Sequence, residues 1–363
     1  MHLLPGQNYD CLRCGRSCTS SWRVPVDHRY AARLLPLRLV DNAFEPCEGG
    51  LALRLEGERC VFLDQGASCR IHAQLGASQK PTTCQLFPFL PVETPDGLFV
   101  GASFYCTAIA QNHGRPLAEH SQDIARLGPY PRVGFEPARL DGQCRLGWDV
   151  YRRFEHELKA RLSGRGLGQA FWSLCWWLSG EPGSELVDLE AALVEGPADP
   201  FLNWLEVASL RSLCARIEAP GAGLELLAAL EQDAPVCLQG RFTGRPSELV
   251  EFMQRSGPSP LVEEVIVRYL EGLLFRKFLL LRGTVLENLL LMHMVTHLMR
   301  FYSAAFAMAG GRRQVESSDV YEALDLMELV LLTHSAEGFV VAPNLVRFYR
   351  DRAEALRQTG TES

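Results

Sequence analysis

Apolar positions follow two different rhythms along the chain. Up to about residue 145 the apolar runs are short and broken by Gly, Pro and Cys. Leu51-Ala52-Leu53-Arg54-Leu55 alternates with the two-residue period of a strand. Cys60-Val61-Phe62-Leu63 and Cys69-Arg70-Ile71-His72 are brief segments joined by the turn-forming Asp64-Gln65-Gly66-Ala67, and 97–101 reads as a further strand. From about residue 146 the spacing changes to the three and four residues of a helix face. It predicts helices over 148–162, 169–178, 201–217, 247–255, the long apolar stretch 261–309, 317 to about 333, and 343–356. Asp199 and Pro200 suit the N-cap and first turn of the 201–217 helix. Pro and Gly clusters at 181–183, 219–223 and 256–260 predict loops. The expected fold class is α+β, with a Cys-rich module of short strands and loops over 1–145 and a mostly α-helical domain over 146–363.

Composition narrows the class. The chain has 363 residues, 47% hydrophobic and 22% charged, which suits one large or two moderate folded domains and excludes disorder as the main state. A net charge of −7 gives no basic excess, so no nucleic-acid partner is expected. The N-terminus lacks a basic region followed by an apolar run, so it does not read as a secretory signal. Asn288–Met299, the longest charge-free run in 261–309, is too short for a bilayer of about 30 Å. The expectation is a cytoplasmic protein without a membrane span.

Cysteine placement changes the picture most. Eight of the twelve cysteines lie in the first 106 residues. In a reducing compartment such a cluster reads as metal-binding rather than disulfide-forming. Cys11-Leu12-Arg13-Cys14-Gly15-Arg16-Ser17-Cys18 is a C-x2-C-x3-C run, and Gly15 permits the tight backbone it needs. Soft sulfur selects zinc or an iron–sulfur cluster. Zinc takes four ligands and a 4Fe–4S cluster up to four thiolates, so three cysteines are too few for a closed site. Cys60, Cys69, Cys84 and Cys106 complete a candidate pool of seven metal-ligating residues, and which of them share a centre is left open. Cys47, Cys144, Cys175, Cys214 and Cys237 read as packing residues.

Other side chains are candidates around that pool. His72, three residues after Cys69, could be a ligand or an outer imidazole. His28 and Tyr30 could face the site, and Trp22 could shield it from water. Arg13, Arg16, Arg23 and Arg70 flank the thiolates. Far along the chain, His293 and His297 stand four apart on one helix face. That spacing can hold a metal or simply pack, and no HExxH glutamate accompanies it.

The ordered motifs CLRCGRSC, Cys60-Val61-Phe62-Leu63 with Cys69-Arg70-Ile71, and Lys80-Pro81-Thr82-Thr83-Cys84-Gln85-Leu86-Phe87-Pro88 resemble the YkgJ-type cysteine-cluster family over about residues 9–110. The resemblance implies chelation of zinc or iron. The family's adjacent Cys-Cys pair is here Cys18-Thr19. Ser21-Trp22-Arg23-Val24-Pro25-Val26-Asp27 with Tyr30, Leu75-Gly76 ahead of Cys84, and Cys106 are similar to segments of flagellin lysine-N-methylases. So are 262–270 and 275–278. That second resemblance implies methyl transfer from S-adenosylmethionine to lysines of a protein such as flagellin, with an iron–sulfur cluster implicated. Deprotonating the lysine would need a base, for which Tyr105 and Asp27 are candidates.

The residues themselves carry no dinucleotide-type methyltransferase loop. Gly221-Ala222-Gly223-Leu224-Glu225 follows a helical pattern and reads as a helix end. The C-x3-C-x2-C order of radical S-adenosylmethionine enzymes is absent, and radical chemistry is not inferred. The alternative to an enzyme is a protein whose metal only stabilises the fold while the helical half binds a protein partner. Metal storage or delivery is a third reading.

Overall fold

A computed structural model describes the chain except for residues 21, 48, 163–165, 181, 219–222, 258, 335–336 and 361–363, and the side chains of 337–339 and 360. Ser21 of the methylase-like segment, residues 219–222 of the glycine-rich loop, and Glu181 and Pro258 of the other predicted loops therefore lie outside the described residues. The fold mixes helices with short strands, and the chain divides into two compact units. Met1–Pro91 with Leu98–Pro131 form one, and Val92–Gly97 with Arg132–Ser363 form the other.

The first unit is built from very short elements. Pro25–Val26, Gly50–Leu53 and Phe44–Cys47 make an antiparallel sheet with Gly50–Leu53 at its centre. Asn8–Tyr9 pairs antiparallel with Arg115–Pro116. His2–Leu3 runs parallel to Gly97–Ala102. The alternation read at 51–55 becomes two strands, Gly50–Leu53 and Leu55–Glu56, and the latter pairs with Arg59–Cys60. The second brief cysteine segment is a helix, Arg70–Leu75. Under the 25–75 part of this unit Leu34, Ala43, Leu53, Phe62 and Ile71 are buried together, while Val100, Phe104, Ile109 and Leu117 are buried farther along the chain. Cys60, Cys69 and Cys84 pack against the first of these cores.

The second unit is helical. Its centre is the Val285–Ala309 helix, buried on nearly every side. A helix apolar all round belongs inside a bundle. Around it stand Gly166–Leu178, Phe201–Glu218, Pro246–Ser256, Pro260–Phe275, Ser317–Leu326 and Glu337–Gly360. No helix among the described residues is long and apolar enough to cross a membrane. Asp199 accepts from the Phe201 N–H at 3.1 Å, as its predicted capping role requires.

Three predicted helices differ in detail. The stretch 261–309 breaks after Phe275, because Lys277 and Gly283 take left-handed backbone at φ 59° and 61°. Thr284 then restarts the chain with a capping box, its hydroxyl accepting from the Glu287 N–H while Glu287 accepts from the Thr284 N–H. The helix expected through Thr333 stops at Leu326 and continues as a π-helical turn, Met327–Leu331. The last helix begins at Glu337, so Pro343 lies inside it. Its buried face starts at Ala342 and runs through Leu345, Val346, Tyr349 and Ala353, and that packing carries the helix across the proline.

Charges are sunk into this bundle in pairs. The Lys277 side chain is 4% exposed and donates to Glu155 Oε1 at 2.5 Å, while the Tyr151 hydroxyl donates to Glu155 Oε2 at 2.8 Å. Glu328 on the π-helical turn is 1% exposed, accepts from the Tyr269 hydroxyl at 2.7 Å and faces Arg276 at 3.9 Å. Buried charges survive only when paired in this way.

Candidate metal centre

The first three cysteines serve two different places. Arg13 and Gly15 both adopt left-handed backbone, at φ 52° and 68°, so the chain turns sharply between Cys14 and Cys18. Arg16–Ser17–Cys18 then forms a single 3-10 turn, closed by the Cys18 N–H donating to the Gly15 carbonyl at 2.9 Å. A side chain on Gly15 would meet Ala67 Cβ at 3.0 Å and Leu63 at 3.3 Å, so the 63–67 turn lies directly on its backbone.

Cys18 joins Cys60, Cys69 and Cys84. The 64–67 turn closes through Ala67 N–H to Asp64 O at 3.2 Å and sets Cys69 opposite Leu63 in an antiparallel bridge. Cys69 stands at the start of Arg70–Leu75, and Cys84 lies within Thr82–Leu86. Burial pushes the Cys60 thiol up to about 11 and the Cys84 thiol up to about 12. In both, charge on the neighbouring thiols adds to the shift, with Cys18 and Cys69 acting on Cys60 and Cys18, Cys60 and Cys69 acting on Cys84. Burial and Cys69 likewise raise Cys18, and Cys11 of the other group adds a smaller push in the same direction. Lys80 opposes the shift at both Cys18 and Cys84. The Phe62 and Leu63 amides donate to the Cys60 sulfur.

Cys11, Cys14 and Cys106 form the other group. Pairing of Asn8–Tyr9 with Arg115–Pro116, and Asp10 N–H donating to His113 O at 3.0 Å, bring the start of the chain beside the Thr107–Ala110 turn. Cys14 Sγ is 3.8 Å from Thr107 Oγ1. Burial pushes the Cys106 thiol up to about 11, Cys14 and Cys11 add to it, and the Ile109 and Ala108 amides donate to its sulfur. The Arg13 amide donates to Cys11 Sγ at 3.4 Å. Cys11 and Cys14 are exposed, whereas Cys106 and the other group's four thiols are half-buried.

The flanking candidates separate clearly. Trp22 lies with ring centroids 4.7 Å from Tyr105 and 5.8 Å from Phe87, and Arg16 sits 5.2 Å from the Tyr105 ring. Tyr30 donates to Gln79 O at 2.8 Å and lies beside Cys84, Cys69 and Cys60. Asp27 is occupied as a helix cap, accepting from the Tyr30 N–H at 2.6 Å. His28 and His72 are exposed. Arg13 and Arg23 are exposed, and Arg70 donates to Leu39 O at 3.1 Å. Of the five cysteines read as packing, Cys144, Cys175 and Cys214 are buried and Cys47 is half-buried. Cys237 is exposed, because its strand Val236–Leu238 alternates and turns that position outward. In the second unit, His297 Nε2 lies 2.9 Å from Glu206 Oε1 and His293 Nε2 lies 3.8 Å from the same oxygen.

Sequence reading passed over Tyr9, Thr107 and Lys80 as neighbours of the thiols. Lys80 did leave a trace, since it is one of three lysines among 36 basic residues.

Residues 10–109 match the CxxCxxCC family model, described as "Putative zinc- or iron-chelating domain". The match supports metal binding by this region. No curated protein and no solved structure matches the chain significantly, so the similarity to flagellin lysine-N-methylases has no counterpart in these comparisons.

Proposed function

We propose that the first unit is a metal module with two thiolate centres. Cys18, Cys60, Cys69 and Cys84 hold a closed centre with a full set of four ligands. Cys11, Cys14 and Cys106 hold a second centre at the surface with one position left for another ligand. The observation that supports this reading is that Cys60, Cys69 and Cys84 pack against the core while Cys11 and Cys14 are exposed, with Cys18 beside Cys69 and Cys106 beside Cys11 and Cys14.

The N–H donors at Cys60 and the apolar screen of Trp22, Phe87 and Tyr105 support iron over zinc, since both features tune the potential of an iron–sulfur cluster.

Anaerobic purification with iron, sulfide and zinc analysis tests the reading. The expected protein is brown, with absorbance near 400 nm. Cys84→Ser should lose the closed centre, and Cys106→Ser should lose only the surface one. A colourless protein with tightly held zinc would overturn the cluster, and equal losses in the two variants would overturn the partition.

The exposure of Cys11 and Cys14 favours a second reading for the surface centre. Cys11, Cys14 and Cys106 would hold three irons of such a cluster, and the iron left without a protein thiolate could take an amine and a carboxylate, the chelating groups of S-adenosylmethionine. Methyl transfer to protein lysine is the activity this would serve. Incubation of cluster-loaded protein with methyl-labelled S-adenosylmethionine and flagellin or whole lysate should label a protein lysine. Absence of label on any target would leave a metal module joined to a helical unit that binds a partner.

A further inference from the structure

We infer that Glu206, His293 and His297 form a third metal site, for a single zinc-class divalent ion, within the helical unit. His293 and His297 share one face of the Val285–Ala309 helix, and Glu206 comes from the Phe201–Glu218 helix. Both imidazoles present Nε2 to the same carboxylate oxygen, at 3.8 and 2.9 Å. Two ligand atoms each about 2.1 Å from one ion in a tetrahedron are about 3.4 Å apart, so the observed separations bracket the required one.

A hydrogen bond between two helices would need only one of these histidines. The second is held there by construction. The His293 side chain is 8% exposed, and its ring stands edge-on to His297 with centroids 4.9 Å apart at 84°. Gly168 of the Gly166–Leu178 helix makes the room, because a Cβ at that position would come within 2.7 Å of the His293 ring. Two imidazoles and one carboxylate are the donor set of catalytic zinc sites, which keep a fourth position for water. Glu206 and His297 are 30% and 28% exposed, so that position opens toward solvent.

Cobalt titration of the full chain, with its cysteine centres loaded, tests the inference. Cobalt bound by nitrogen and oxygen gives weak visible bands without the near-ultraviolet charge transfer of thiolate sites, so the two kinds of site are read separately. Wild type should take up one such equivalent. Glu206→Gln keeps an oxygen for the His297 N–H but loses the anionic ligand. It should bind at least tenfold more weakly, as should His297→Ala, while Cys84→Ser and Cys106→Ser keep this equivalent. Zinc should raise the melting temperature of wild type but not of Glu206→Gln. Equal uptake in wild type and Glu206→Gln, or no nitrogen-and-oxygen equivalent in wild type, would reduce the trio to a hydrogen-bonded clamp between helices.

Discussion

Replacing Gly15 by Ala is the sharpest local perturbation of the thiol arrangement. Gly15 sits at φ 68° between Cys14 and Cys18. A residue with a Cβ loses about 1–2 kcal/mol in left-handed backbone. The new methyl would also lie 3.0 Å from Ala67 Cβ and 3.3 Å from both Leu63 methyls, displacing the turn that sets Cys69 in place. Together these amount to about 2–3 kcal/mol against the metal-bound fold. Because metal binding and folding are one free energy in such a module, the loss should appear as metal affinity about 30- to 150-fold weaker. Competition against a chelator of known affinity measures it. Gly66→Ala is the control, since its Cβ meets only Asp64 Oδ1 at 3.4 Å without a left-handed φ. Gly15→Asn separates the two contributions, because Asn tolerates left-handed backbone but keeps the crowding. If Gly15→Ala holds metal as tightly as Gly66→Ala, the turn does not position Cys18 and the argument fails.

Three further outcomes follow from buried charge. Lys277→Met should lower the stability of the helical unit by about 3–5 kcal/mol, because it strands Glu155, whose carboxyl burial already raises. Lys277→Met with Glu155→Leu should recover most of that loss in a denaturant titration, and a double variant as unstable as the single would refute the pairing. His334 is pushed down to about 4 by burial, so the unfolded chain binds its proton first. Its contribution is complete above pH 6.5 and drains away as pH falls toward 4, by up to about 3 kcal/mol. His334→Gln should flatten that slope in melts between pH 7 and 4.5. Lys80→Ala removes the cation that opposes the raised pKa of Cys18 and Cys84. Metal uptake, which must release those thiol protons, should then shift to higher pH, and an unchanged pH midpoint would exclude the role.

The helical half was legible because a 3.6-residue period survives wherever one face packs on a core. The break at 276–284 was not, since Arg276 and Lys277 look like surface charges in the sequence but are buried against Glu328 and Glu155. The seven candidate cysteines could be gathered from spacing alone. Their division could not, because it depends on which distant segments reach each one, with Cys69 and Lys80 beside Cys18 but Thr107 beside Cys14. The Glu206–His293–His297 trio was half visible. The i, i+4 histidines are a local pattern, but the glutamate comes from a helix some ninety residues earlier, a distance that no motif spans.

The eight-residue segment from Cys11 to Cys18 contributes to both thiol groups, which would couple the two proposed centres. With both centres empty, each residue of this segment costs about 1–2 kcal/mol of backbone entropy to fix. Occupying the proposed closed centre would fix Cys18 and the Gly15 turn, so part of that cost would already be met when Cys11 and Cys14 close on their own ligand. The coupling is reciprocal, so filling either proposed centre would raise the affinity of the other by the same factor. Loss of one metal would loosen the other site without any contact between the two ions.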